Sequence, residues 1–441
     1  MYRVSNYLTR FALSLAAGAL LATIWANVAP EGYSDFVELL LSDHSLIGYT
    51  NPDALFPFGR TLTMAYLTGD ALMALFFLYL GKEFWEALVL RNGALRGSKA
   101  VAPLVTAAIG AAVPALIYAG LSGFIADPAL PAPFAGWPIV LAGDVTLSYV
   151  IARSILGSGH PALRFLLLVS IADDILALLV SGLAFPEGGL HPAWLLLPLT
   201  ASLGTWLLFN WLPQRLDQGS PLAPASGFVR HRLSIWPYAL AGALSWYGMQ
   251  QAGLMPALGL LPIVPAIPHT DRAFGVFAAV ETRLHDMLNR IAQLLVWPVT
   301  AGLFLFALTH AGAPISAIDE LSLLIALALL VGKPLGFLLG GWLSTAVLSR
   351  PLPAGMSRGD LATVGAAAAA GLAVPLFSVS ASLPDGTFQD SARLGLILSV
   401  LLAPLALRLA RALSPSRSGA GTPPETRPAA QPPAHPDADP G

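Results

Sequence analysis

The chain has 441 residues, of which 56% are hydrophobic and only 11% charged, with a formal net charge of -2 and a mean hydropathy of +0.69. Soluble domains carry about 25% charged residues and lack repeated apolar runs of about 20, so a water-soluble globule is excluded and a polytopic all-α membrane protein is expected. Near-neutral charge gives no basic field for nucleic acid, and the absence of cysteine removes disulfides, thiolate metal centres and thiol nucleophiles while leaving the redox compartment open.

Apolar runs of spanning length recur about twelve times, near residues 11–29, 67–88, 101–122, 136–155, 164–185, 194–212, 235–251, 255–268, 289–310, 321–346, 361–382 and 393–412. The first follows Arg3 and Arg10 and ends in Ala26-Asn27-Val28-Ala29 before Pro30, which superficially fits a cleaved signal peptide. Removing it would invert the charge asymmetry of every later loop, so it reads as a span. The fourth run carries Asp144 directly after Gly143 and shortly after Pro138, residues that weaken a helix and leave backbone groups free to line a cavity. The fifth holds Asp173 and Asp174 side by side, with no basic residue between Phe165 and Phe185. The eighth is short and rich in proline, and the tenth has Lys333 near its centre. The eleventh is interrupted by Gly365, Gly371 and Pro375, mirroring the weakened fourth; paired broken helices in two halves of a transporter point to its substrate site. From about Ser414 proline and small polar residues take over. The expected organisation is therefore a transmembrane domain over 1–412 and a disordered proline-rich tail over 413–441.

Charge placement orients the spans, because Lys and Arg gather in short cytoplasmic loops. With the N-terminus inside, all of the 23 basic residues except Arg60, Arg393 and Lys333 fall on the inner side. An even number of spans and two cytoplasmic termini are expected. Tryptophans near span ends, such as Trp137, Trp194 and Trp236, read as interfacial anchors. The eight histidines fall in or near loops without ligand spacing, so no metal centre is expected.

A carboxylate at bilayer depth costs about 2.5–3.5 kcal/mol, so adjacent acids there mark an ion or proton site. Two like charges sunk side by side repel, and such a pair can hold a proton or trade it for a small hard cation. Neighbours on a helix point about 100° apart, so Asp173 and Asp174 should play different parts. One is expected against Lys333, the other facing an aqueous funnel with Asp144. A purely structural buried ion pair is the plainer reading, but a spare acid then has no use. An intramembrane aspartyl protease also uses two membrane aspartates; here the first glycine of its Gly-x-Gly-Asp signature would fall at Leu141, no Tyr-Asp pair occurs in any span, and a central lysine would quench the dyad. A Na+-coupled organic-anion symporter would want a basic cavity, whereas Lys333 is the one basic residue deep in a span.

The chain resembles the bacterial NhaA-type sodium/proton antiporters. The resemblance is carried, in order, by Gly69-Asp70-Ala71-Leu72-Met73 through Gly81-Lys82-Glu83, Ala108-Ile109-Gly110 through Val113-Pro114, Asp144, Ile171-Ala172-Asp173-Asp174, Val331-Gly332-Lys333-Pro334-Leu335-Gly336, the interrupted eleventh run and Ala392-Arg393-Leu394-Gly395. It implies a fold of twelve helices with an inverted repeat, whose unwound fourth and eleventh helices cross near the midplane. It further implies exchange of cytoplasmic Na+ or Li+ for external protons by alternating access, expected to be electrogenic, in the bacterial inner membrane. Asp174 matches the principal cation ligand and proton carrier, Asp173 the acid that shares the Na+ site and pairs with the lysine matched by Lys333, and Asp144 the acid that balances helix-end dipoles. The second proton is carried by Asp173 or by that lysine. No resident cofactor is implied, the ions being cargo; expected partners are membrane lipid, Na+ and H+, with a homodimer as an option although no dimer-forming hairpin is identifiable.

Several positions depart from the family pattern. Gly143 stands where a threonine is usual, removing a hydroxyl beside the acid. Glu83 is retained and would sit at a cytoplasmic entrance, although an acid beside Lys82 at a helix end also reads as a solvated cap. The positions after it are Phe84-Trp85-Glu86-Ala87 instead of a basic-rich pattern, the histidine expected in the eighth span is replaced around Met255-Pro256, and no role carries over to Arg283 or His285. The pH-sensing apparatus is accordingly not readable.

Overall fold

The computed structural model describes residues 4, 6–50, 59–91, 93–124, 135–218, 224–269, 277–278, 286–353 and 355–413. Arg283, His285 and the tail from 414 on lie outside the described residues. Among the described residues nine helices are long and apolar enough to span a membrane, and one further pair is bent by 56° at a short break. They are α1 (Tyr7–Val28), α3 (Met64–Val89), α4 (Gly97–Ser122), the segment Trp137–Leu156 whose continuous part is α5 (Val145–Leu156), α6 (Pro161–Ala184), α7 (Pro192–Leu216), α9 (Met287–His310), α10 (Glu320–Val347), α13 (Thr387–Leu413) and the bent pair α11 (Arg358–Ala368) and α12 (Ala373–Ser382). A short helix, α2 (Pro30–Val37), follows α1, and α8 (Trp236–Gln251) has 16 residues.

Twelve spans are therefore not reached by length and composition. The seventh apolar run folds as α8, under spanning length, and the eighth as 3-10 turns at Pro256–Leu258 and Leu261–Ala266. Proline has no N–H and clashes with the preceding turn, so a run containing Pro256, Pro262 and Pro265 cannot sustain an α-helix. A second departure from the all-α expectation lies between α2 and α3. Strands β1 (Leu40–Ser45), β2 (Tyr49–Thr50) and β3 (Arg60–Thr63) form an antiparallel sheet in the order β1-β3-β2. The sheet runs straight into α3, where the Thr63 hydroxyl accepts from the Tyr66 N–H at 3.2 Å and caps the helix.

The site depends on how α10 is fixed. Gly332, Gly336 and Gly340, spaced four apart, put one glycine face of α10 against α4: a Cβ at each would meet the Cα of Pro114, Gly110 and Thr106 at 2.6, 2.8 and 2.7 Å. Helix pairs in lipid gain from such close backbone approach, since apolar surface alone does not drive them together. Gly365 of α11 closes on the same helix from the other side, its would-be Cβ 2.8 Å from the Cα of Pro334. Lys333 is thus clamped between two close-packed faces and is fully buried.

Candidate functional site

Two breaks cross at the centre of the bundle. In the fourth span, the 3-10 turn Trp137–Val140 stops, Leu141 through Asp144 are irregular, and α5 begins at Val145. In the eleventh, α11 ends at Ala368 and α12 starts at Ala373. The breaks touch: a Cβ at Gly143 would collide with the carbonyl oxygen of Ala368, and one at Gly371 would lie 3.4 Å from the carbonyl oxygen of Ala142.

Asp144 joins the two half-helices. Its Oδ1 accepts from the Thr146 and Leu147 N–H groups, each at 2.9 Å, and from the Thr146 hydroxyl at 2.7 Å, capping α5. Its Oδ2 accepts from the Ala373 N–H at 3.1 Å, at the first residue of α12. A helix start exposes free N–H groups and about half a positive charge, so one carboxylate answers two such ends. Lys333 answers the opposite kind of end: its Nζ donates to the Leu141 carbonyl at 2.5 Å, at the close of the first half of the fourth span, and to Asp173 Oδ2 at 2.5 Å. The expected pairing of Lys333 with one acid of the doublet is thus present, and the partner is Asp173.

What remains is open ligand capacity. Asp173 Oδ1 and Asp174 Oδ1 are buried and accept no hydrogen bond from the described residues. Burying a charged oxygen without a partner is costly, so these atoms call for a proton or a cation. Asp144 and Asp173 both lie close enough to Asp174 for their charges to act on it. Asp144, Asp173 and Asp174 are each 1% exposed and face the helix bundle and not lipid. The aqueous funnel expected beside Asp174 and Asp144 is consequently closed in this conformation. Oxygen-only ligands with open positions suit a small hard cation, and among the described residues no group of three or more His, Asp or Glu side chains has metal-site spacing.

Glu83 corrects the solvated-cap reading. It is 2% exposed, its Oε1 lies 3.1 Å from Lys82 Nζ, and its Oε2 accepts from the Phe277 N–H at 2.5 Å. Lys82 Nζ also lies 3.0 Å from Glu86 Oε2, so the three form a buried cluster inside α3. Phe277 has φ +52°, an uncommon backbone for a bulky residue, and stacks on Tyr79 at 5.9 Å. Sequence reasoning missed two buried polar groups as well. Ser148, one turn after Asp144, carries a hydroxyl with no partner among the described residues, and an isolated serine in an apolar run gives no signal. His310 closes the last turn of α9, at the edge of the loop that follows, and is only 9% exposed.

A family model described as Na+/H+ antiporter 1 matches residues 5–409. The "Na(+)/H(+) antiporter NhaA" of Jannaschia sp. (strain CCS1) is 47% identical over 399 residues, covering 90% of this chain and 95% of that protein. Proteins of the same name from Desulfitobacterium hafniense (strain DSM 10664 / DCB-2) and Geobacter sulfurreducens are 34% and 31% identical, over 91% and 89% of this chain and 94% of their own length in each case. A solved structure of the sodium proton antiporter MjNhaP1 from Methanocaldococcus jannaschii is similar over 91% of this chain at 16% identity and a TM-score of 0.39, a likeness too loose to add to the family match.

Proposed function

The chain belongs to the Na+/H+ antiporter 1 family, and from that premise we propose that Asp173 and Asp174 are the ligands for which Na+ (or Li+) and protons compete. The protein is a Na+/H+ exchanger, a transporter and not an enzyme; its ions are cargo, and it has no need of a cofactor. The protease and organic-anion symporter readings fall away with the family.

The observation that carries the site assignment is the pair of buried, unpartnered carboxylate oxygens on Asp173 and Asp174 beside two crossed helix breaks. Na+ bound there would take both free oxygens; protons would take the same oxygens in its absence. A site that cannot hold both must exchange one for the other as it alternates between sides. Asp144 keeps the starts of α5 and α12 together while the cargo changes, because it accepts from both helix ends whichever ion is bound. Lys333 can release Asp173 when the cation arrives, which makes it a candidate for the second proton. If two protons cross per cation, one net charge moves per cycle, worth about 2.3 kcal/mol per 100 mV, and the membrane potential drives Na+ out.

The finer assignments follow the same reading. The charge asymmetry of the loops supports an inner-membrane protein with both termini cytoplasmic. On that orientation the buried Lys82-Glu83-Glu86 cluster lies toward the cytoplasmic end of α3, at the entrance for Na+. A homodimer would leave this site in each protomer, and the antiparallel sheet β1-β3-β2 is a surface on which a second copy can be accommodated.

Proton release from everted membrane vesicles on adding Na+, Li+ or K+ tests the assignment. The wild type releases protons with Na+ or Li+, and Asp174→Asn abolishes the response; an asparagine variant that exchanges as well as wild type removes Asp174 from the site.

A further inference from the structure

His310 stands apart from the acids and from the helix breaks, yet an ionisable side chain within a membrane helix calls for an explanation. Helices α1 and α9 run in parallel, with the Ser14 hydroxyl on the Thr300 carbonyl at 2.6 Å and the Asn27 amide on the Ala313 carbonyl at 3.0 Å, so His310 lies at the end of the bundle opposite the chain's N-terminus. Its Nδ1 is 3.1 Å from the Phe306 carbonyl oxygen and 2.8 Å from Thr309 Oγ1. A carbonyl can only accept, so Nδ1 carries the hydrogen and the Nε2 lone pair is left without a hydrogen bond among the described residues.

Nε2 is aimed at the backbone of Gly69, where a Cβ would stand 3.1 Å from it. Gly69 lies in a π-helical turn of α3, Leu67–Leu72, a local widening common at functional positions. The same turn ties itself to α9 through Thr68 Oγ1, 2.7 Å from Thr309 Oγ1, so a line of hydroxyls leads from α3 to the imidazole. The opposite face of the ring is closed. It stacks on Phe306 at 4.5 Å, Phe306 stacks on Phe377 of α12 at 4.9 Å, and Phe377 packs against Phe77 at 6.1 Å. The next residue of α12, Ser378, has its hydroxyl 2.9 Å from that of Ser181, about two turns along α6 from Asp174. The aromatic column and the serine pair therefore stand between the imidazole and the acids, and both are carried by α12, the half-helix whose start is held by Asp144.

We propose that His310 is a further proton-handling residue of the exchange, the first acceptor for protons arriving from the side of the membrane opposite the N-terminus. This rests on the antiporter reading above. Nε2 takes a proton from water at that end, an N–H bond forms, and the imidazolium is held while α12 seals the acids. When α12 moves, Phe377 and Ser378 part from Phe306 and Ser181, the proton passes to the carboxylate pair, and the imidazole returns to neutral. Other ionisable groups surround the ring: Asp70 follows Gly69 in the π turn, the Tyr33 hydroxyl donates to the Leu308 carbonyl at 3.0 Å, and Arg393 of α13, paired with Asp390 at 3.0 Å, is the cation whose field reaches it.

The test uses the full chain in oriented vesicles, with pH varied only on the side opposite the N-terminus and Na+ efflux followed. In His310→Asn the outside proton concentration giving half-maximal rate rises about tenfold, while the maximal rate stays within about twofold and the melting temperature holds. His310→Gln, with its polar tip near the position of Nε2, carries the same expectation if the asparagine variant fails to fold. Variant and wild-type profiles that superimpose overturn the assignment of His310 and leave the exchange itself intact. Absence of Na+-coupled exchange in the wild type, by contrast, sinks the antiporter reading itself.

Discussion

Lys333 and Asp173 form an ion pair with neither member exposed to water, and its worth lies in what is left when one partner goes. Lys333→Ala leaves a buried carboxylate and an uncompensated Leu141 carbonyl, so thermal stability in detergent should fall by about 3–5 kcal/mol, read from the melting profile. An unchanged profile would mean that the pair is not formed in the folded protein. Gly143 makes a second residue-scale case. The sequence suggests a lost hydroxyl, but the space a side chain would need is taken by the Ala368 carbonyl. Gly143→Thr should therefore push the two breaks apart, cost about 1–3 kcal/mol and slow exchange rather than improve it; exchange at or above the wild-type rate would show that the crossing tolerates a side chain there. Asp144, Asp173, Asp174 and Lys333 were legible from sequence because charges stand out against apolar neighbours. His310 was not, since a histidine at the end of an apolar run looks the same whether it caps a helix in a loop or closes a buried turn. Glu83 was ambiguous for the same reason: adjacency to Lys82 does not tell burial.

At the scale of elements, the α4 and α10 pair positions the lysine. The glycine spacing on α10 and the facing Thr106, Gly110 and Pro114 on α4 leave no room for a methyl group at the contact. Gly336→Ala should separate the helices, lower stability by about 1–3 kcal/mol and weaken Na+ binding through the displaced Lys333. Gly123, whose Cβ would meet nothing within 4 Å, is a control in which alanine should be nearly neutral for melting and exchange; equal losses at both positions would refute the contact. The breaks in the fourth and eleventh spans were readable because glycine and proline punctuate a helix wherever they cluster. The eighth run, though apolar, folds as 3-10 turns, since hydropathy measures oil and not whether the backbone can stay α-helical through Pro256, Pro262, Pro265 and Pro268. The sheet at Leu40–Thr63 escaped notice because its strands are short and its alternation is lost among polar and turn residues.

For the whole molecule, the site is closed around its acids in this conformation, and transport requires that it open to each side in turn. The element best placed to move is α12, fastened by Asp144 at its start and by Phe377 and Ser378 further along. A two-proton cycle predicts that Na+ concentration jumps on a supported membrane give a transient current, and that its sign follows the net positive charge moving against Na+. An electrically silent but working exchanger would set the ratio at one proton per cation. The central claim is narrower than the stoichiometry: cation and protons compete for Asp173 and Asp174. Its most direct test is Na+ binding to the purified protein, measured calorimetrically in buffers of different ionisation enthalpy across a pH series. The account predicts that Na+ binding releases protons, that apparent Na+ affinity rises with pH by up to about tenfold per unit for each proton displaced, and that Asp174→Asn abolishes both. Na+ affinity that is the same at every pH, with no proton released, would contradict it.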